Sequence, residues 1–157
     1  MLEKTAVPGK KMTAIWMIWG AMTVSLAVYV AICHLLIHTG YESGMDPDFP
    51  HELLGAVLFG FSLVQFVATY YLRRFLLKPG KREFQTPVGK YATAVMISCA
   101  LAESIGIYGM VLFLLRPDFP VLYSFVGISA VAMFAQRPKS DELERLASDM
   151  EKFGSAE

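Results

Sequence analysis

The chain has 157 residues, of which 55% are Ala, Val, Ile, Leu, Met, Phe, Trp, Tyr or Cys and only 18% are Asp, Glu, Lys or Arg. The mean hydropathy is +0.46, well above a soluble domain with its about 45–50% apolar and about 25% charged residues, which excludes a soluble α/β enzyme, a disordered tail and a disulfide-stapled secreted module. Fourteen basic residues balance fourteen acidic ones, so nothing in the charge points to nucleic acid.

The apolar residues fall in four runs, 12–37, 53–72, 91–115 and 121–135. A membrane-crossing helix needs about 20 mostly apolar residues. The fourth run is short and reaches that length only with Phe119 and Gln136. Lipid leaves free backbone groups unsatisfied, so each run is expected to be helical. The runs are continuous and lack the period-2 alternation of a β-barrel. The expected fold class is all-α, a polytopic membrane protein with four transmembrane helices. The first run exceeds the 7–15 residues of a signal h-region, so it is expected to stay attached. Within it, Trp16 and Trp19 read as interface anchors. Cys33 and Cys99 lie inside the first and third runs, without the paired spacing of a metal or redox site, and read as small apolar residues rather than a disulfide.

Lys and Arg set the expected orientation. Lys4, Lys10 and Lys11 precede the first run. Arg73, Arg74, Lys78, Lys81, Arg82 and Lys90 lie between the second and third, and Arg137, Lys139, Arg145 and Lys152 follow the fourth. The connections 39–52 and 116–120 lack this excess. Both termini and the basic loop are therefore expected in the cytoplasm, with the chain integral to a membrane, expected to be a bacterial inner one. The organisation is read as a cytoplasmic N-terminus (1–11), a first hairpin (12–72), a basic loop (73–90), a second hairpin (91–136) and an amphipathic tail (137–157). In the tail, Leu143, Leu146, Ala147 and Met150 make an apolar helical stripe, with Ser140 as a plausible N-cap. A surface helix, a helix against a partner and a solvated tail all fit.

The chain also repeats itself. Pro47-Asp48-Phe49-Pro50 follows the first run and Pro117-Asp118-Phe119-Pro120 the third. Upstream, Ala21-Met22-Thr23-Val24-Ser25-Leu26-Ala27-Val28-Tyr29 aligns with Ala100-Leu101-Ala102-Glu103-Ser104-Ile105-Gly106-Ile107-Tyr108, with identities at Ala, Ser and Tyr. Such self-similarity predicts two hairpins in the same orientation, a parallel repeat. Val24 stands where Glu103 stands in the second copy.

Glu103 lies near the middle of the third run. A charge there costs about 2.5–3.5 kcal/mol on insertion scales, so such residues usually face a bundle interior, have a partner and mark function. Low dielectric disfavours the ionised form of a carboxyl, which makes Glu103 a candidate for proton binding. Ser104 is adjacent, Tyr108 is long enough to reach back, and Gln65 lies at similar depth in the second run. These oxygens suit a hard cation such as Na+, and equally a carboxyl that binds one proton. A protonated Glu103 that only hydrogen-bonds a neighbouring helix is the plainer alternative.

The stretch Ala100-Leu101-Ala102-Glu103-Ser104-Ile105-Gly106-Ile107-Tyr108-Gly109 resembles the ion-carrying outer helix of the c subunit (proteolipid) of rotary ATP synthases, over about residues 55–115 of this chain. The resemblance implies an H+- or Na+-binding site in which Glu103, Gln65, Ser104 and Tyr108 take part, with the Leu101 carbonyl as a further ligand. Duplication with one carboxylate lost also resembles the fused hairpins of V-type proteolipids. The chain departs from the family in its second run, where only Gly55 and Gly60 occur, among Phe59, Phe61, Phe66, Tyr70 and Tyr71. Closely spaced glycines let the family's inner helices pack into a narrow ring, so the likeness implies an ion-binding helix more than a rotor. A homo-oligomer or other membrane-protein subunits are the implied partners.

His34, His38 and His51 are the remaining polar candidates. His34 and His38 share a helix face and His51 opens the second run, so a haem b axial pair or a weak metal site can be drawn. Histidines at an interface without a ligand are the commoner case. No nucleophile–base pair, phosphate-binding loop or zinc cluster occurs, and the chain is not expected to be an enzyme by itself. Two classes remain: an ion-binding membrane protein centred on Glu103, and a non-catalytic accessory subunit of a respiratory or other energy-converting membrane complex.

Overall fold

A computed structural model describes residues 9–42, 50–78 and 86–154. It contains α1 (Gly9–His38), α2 (His51–Leu76), α3 (Pro87–Leu115), α4 (Phe119–Ala135) and α5 (Ser140–Gly154). The helices begin and end where local chemistry dictates. Tyr41 N–H returns to Leu36 O at 3.0 Å, and Gly40 takes φ +79 to close α1, a left-handed C-terminal residue that glycine adopts without steric cost. Thr86 caps α3 by accepting from Gly89 N–H at 3.2 Å, and Asp118 caps α4 by accepting from Val121 N–H at 3.4 Å. Pro87 and Pro120 sit in the first turns, where a missing N–H costs nothing.

Met12–His38, His51–Leu76 and Pro87–Leu115 are each long and apolar enough to cross a membrane. The seventeen residues of α4 rise only about 25 Å, short of about 30 Å of hydrocarbon. It counts as a fourth span only together with α5, from which it is bent by 50°. The protein therefore has three to four candidate spans and is wholly helical among its described residues.

All the substantial helix interfaces involve α3 or α4: both α1 and α2 pack on this central pair. The expected first hairpin is not a packed unit of its own. The reason lies in which residues are small. A Cβ on Gly106 would stand 2.6 Å from Leu26 Cδ2 of α1, and one on Gly109 would stand 2.6 Å from Phe125 Cβ of α4. Ala102 is fully buried between them, and its carbonyl accepts from the Ser129 hydroxyl of α4 at 2.6 Å. Small residues on α3 thus admit neighbours on two sides, the usual means of close helix approach in membranes.

The core runs along α3 in layers. Near the basic end, Ile15, Tyr91, Val95 and Cys99 pack with Leu143 and Leu146 of α5. Leu26, Ala102, Ala132 and Met133 follow, then Ile105, Leu112 and Phe125 on the α2 side and Cys33, Phe113 and Leu122 on the α1 side. Cys33 and Cys99 are free thiols in different layers. The apolar stripe of the tail packs against the chain's own α1 and α3 through Leu143, Leu146 and Met150.

The break between α4 and α5 is held by Arg73. Counted with the basic loop in the sequence, it lies inside α2 and is buried. Its guanidinium donates to Gln136 O at 2.5 Å, to Gln136 Oε1 at 3.0 Å and to Glu142 Oε2 at 2.7 Å. A cation at the carbonyl end of α4 and a carboxylate in the first turn of α5 both suit the helix dipoles. Trp19 contributes too: its indole N–H donates to Met133 O at 3.0 Å in the last turn of α4. Trp16 is exposed and meets Trp19 edge-on. Lys4, Lys81, Arg82 and residues 47–49 of the first tetrapeptide repeat lie outside the described residues, as do the side chains of Lys10 and Lys11.

Overpacking α3 should therefore be costly in a position-dependent way. Gly106→Val and Gly109→Val are expected to lower stability by about 1–3 kcal/mol or more. Gly60→Val, whose Cβ would meet nothing within 4 Å, should be nearly neutral. Thermal unfolding of the detergent-solubilised protein followed by circular dichroism measures the difference.

Candidate functional site

The two similar sequence segments of α1 and α3 each form a polar clasp. In α3, Leu101, Ser104 and Tyr108 share one face at three- and four-residue spacing. Gln65 of α2 enters this face. Its amide nitrogen donates to Leu101 O at 2.8 Å and to Ser104 Oγ at 2.5 Å, and Tyr108 O–H donates to Gln65 Oε1 at 3.3 Å. The Ser104 hydroxyl donates back to Leu101 O at 2.8 Å. The amide thus acts as donor and acceptor at once, and the cluster satisfies itself.

The matching face of α1 carries Met22, Ser25 and Tyr29, and the group that enters it is Glu103. Tyr29 O–H donates to Glu103 Oε1 at 2.6 Å. The Ser25 hydroxyl is hydrogen-bonded to the same oxygen, and it also lies 2.7 Å from Met22 O. Glu103 is half-buried. Consecutive helix positions are rotated by about 100°, so Ser104 faces α2 while Glu103 faces α1. The expected set therefore divides: Gln65, Leu101, Ser104 and Tyr108 come together, whereas Glu103 hydrogen-bonds Ser25 and Tyr29 instead of them.

Ser25 has one proton and two acceptors within reach, Met22 O and the carboxyl of Glu103. When Glu103 is ionised, the Ser25 and Tyr29 hydroxyls can both donate to it. When Glu103 is protonated, its O–H can donate to Ser25 Oγ while Ser25 keeps its bond to Met22 O; Gln65 sits differently, its amide nitrogen donating to both Leu101 O and Ser104 Oγ. Rotation of one hydroxyl therefore keeps Ser25 and Glu103 hydrogen-bonded to each other in either state. The counterpart position on α1, Val24, is 62% exposed on the outer surface, where a carboxylate would stand in lipid without partners.

Ser25 and Tyr29 were not among the expected site residues. Their signal was present in the duplication, because Ser and Tyr are the polar identities between the two copies. The histidines do not converge. His34 Nε2 is 2.7 Å from Tyr123 Oη and its ring stacks on Phe119 at 4.5 Å. His51 lies in a cleft with Pro120, Val121 and Ser124, on a different side of α4, and His38 is exposed at the end of α1. Among the described residues, no group of three or more His, Cys, Asp and Glu side chains is placed to hold a metal.

Set against known proteins, the chain matches no family model, no curated protein and no solved structure.

An amide at position 103 keeps an oxygen that can accept from both Ser25 and Tyr29, as Glu103 Oε1 does. Glu103→Gln is expected to unfold within about 0.5 kcal/mol of the native chain, as substitutions without a disruptive mechanism do. Glu103→Leu leaves the Ser25 and Tyr29 hydroxyls without this partner and should cost about 1–3 kcal/mol. Chemical denaturation in mixed detergent micelles resolves the two.

Proposed function

We propose that this is an integral membrane protein that takes up and releases one proton at Glu103, acting within a larger membrane assembly. The observation that carries the reading is the Ser25 hydroxyl placed between Met22 O and Glu103 Oε1, which lets the carboxyl change protonation without stranding a buried polar group. In the matching clasp a serine and a tyrosine hold an uncharged amide, that of Gln65.

A proton is favoured over Na+ because the amide and hydroxyl groups expected to ligate sodium are occupied with one another. In this reading the termini and the basic connection face the cytoplasm of a bacterial inner membrane. The two clasps descend from a duplicated hairpin, and the second copy alone keeps the carboxylate. The likeness to the proteolipid c subunit then reflects shared carboxyl chemistry rather than a rotor, since bulky Phe59, Phe61 and Tyr71 on α2 are exposed where a narrow ring needs glycine.

Labelling with a hydrophobic carbodiimide tests the proposal. The reagent attacks the protonated acid, so modification should map to Glu103 by peptide mass spectrometry, fall as pH rises, and disappear in Glu103→Gln. Ser25→Ala and Tyr29→Phe should move the pH profile, because each removes a donor to the ionised form. Protection by Na+ would transfer the assignment to sodium. Absence of labelling across the accessible pH range would leave Glu103 as a structural hydrogen bond in an accessory subunit.

A further inference from the structure

At the end of the bundle away from α5, a cleft of about 490 Å³ separates the first turns of α2 from the α3–α4 turn. Its walls are apolar and begin with the small residues Gly55 and Ala56 of α2, facing Val121 of α4. At depth the cleft meets Phe59 and Phe125, whose rings stand edge to face at 5.9 Å. Between His51 and Phe59 the cleft follows α2 for about 12 Å, directed from a span end toward mid-membrane. Its rim has mixed charge: Glu52 from α2, Arg116 after α3 and Asp118 before α4. The Asp118 side chain caps Val121 N–H through Oδ1. Among the described residues, no ion pair or hydrogen bond engages the side chains of Arg116 or Glu52.

We propose that this cleft binds one zwitterionic glycerophospholipid, with an acyl chain between α2 and α4, the phosphate on Arg116 and the ammonium facing Glu52 and Asp118. An apolar hollow beside a membrane span is open to lipid tails, and its volume falls within the about 300–1,000 Å³ of small-ligand sites. The rim lies at the end of three helices, the depth of headgroups in a spanning protein. Charge complementarity selects the headgroup. One guanidinium beside two carboxylates disfavours a purely anionic lipid and suits a phosphate joined to a primary amine, which can donate hydrogen bonds. The proposal requires that the helices span a membrane and is independent of any proton at Glu103.

Native mass spectrometry of the full chain in mild detergent, incubated separately with phosphatidylethanolamine, phosphatidylcholine and phosphatidylglycerol, reads the outcome. One phosphatidylethanolamine per chain should be retained, with the other two lipids retained less. Gly55→Leu projects into the cleft, its Cβ meeting nothing within 4 Å, and should lower retention about tenfold, as should Arg116→Gln. Gly60→Leu, equally open but outside the cleft, should retain lipid like the native chain and controls for damage to α2. Equal retention of the three lipids, undiminished binding in Gly55→Leu, or a lipid-free dimer in place of the monomer–lipid complex would each overturn the proposal.

Discussion

The whole arrangement depends on how closely other backbones can approach α3. Ala102, Gly106 and Gly109 lie along its buried faces, and a single added methyl at either glycine would stand 2.6 Å from a side-chain atom of α1 or α4. That proximity brings Ser25 and Tyr29 within hydrogen-bonding distance of Glu103, and it lets Ser129 reach the Ala102 carbonyl. In lipid there is no hydrophobic gain from separating apolar surface from solvent, so dispersion and interhelical hydrogen bonds must hold the helices together. Both fall steeply with distance. Larger residues at these positions would loosen the packing and the polar clasps at once.

The helices, their apolar character and the mid-helix carboxylate are all legible in the sequence, because each depends on local chain properties. Helix neighbours are not. α1 is apolar nearly all round, so no stripe tells which of its faces will be buried, and chain order makes α1 and α2 look like partners; on α2 the buried face is instead the polar stripe Ser62, Gln65, Thr69 and Arg73. The decisive cue was steric and non-local, in Gly106 and Gly109. The same difficulty applies to Glu103, which lies beside Leu101 and Ser104 in the sequence but turns toward Ser25 and Tyr29 while Gln65 meets Leu101, Ser104 and Tyr108. Adjacent positions on a helix face different directions, and residue 103 looks toward α1. Arg73 follows the same rule: a cation at a helix end reads as loop from sequence, yet the carbonyls of Gln136 and Arg137 lie beside it.

The break between α4 and α5 follows from the same geometry. With α4 only seventeen residues long, the basic half of α3 needs another cover, and α5 supplies it through Leu143 and Leu146. A helix that stops within the bundle leaves carbonyls without intrahelical partners, and these are costly in a low-dielectric setting. Trp19 and Arg73 supply donors to that end. The buried cation is compensated by Glu142 and the Gln136 side chain, so the bend is fixed by named donors and acceptors.

The two clasps permit an argument about what kind of group each is built to hold. In both, a serine hydroxyl returns to the carbonyl three residues earlier and a tyrosine lies one turn further on. In the second clasp the amide of Gln65 meets this pair through both of its polar atoms, the nitrogen donating to Ser104 and the oxygen accepting from Tyr108. In the first, both hydroxyls meet the same carboxyl oxygen, Glu103 Oε1. The carboxyl differs from the amide in one chemical respect, its capacity to exchange a proton.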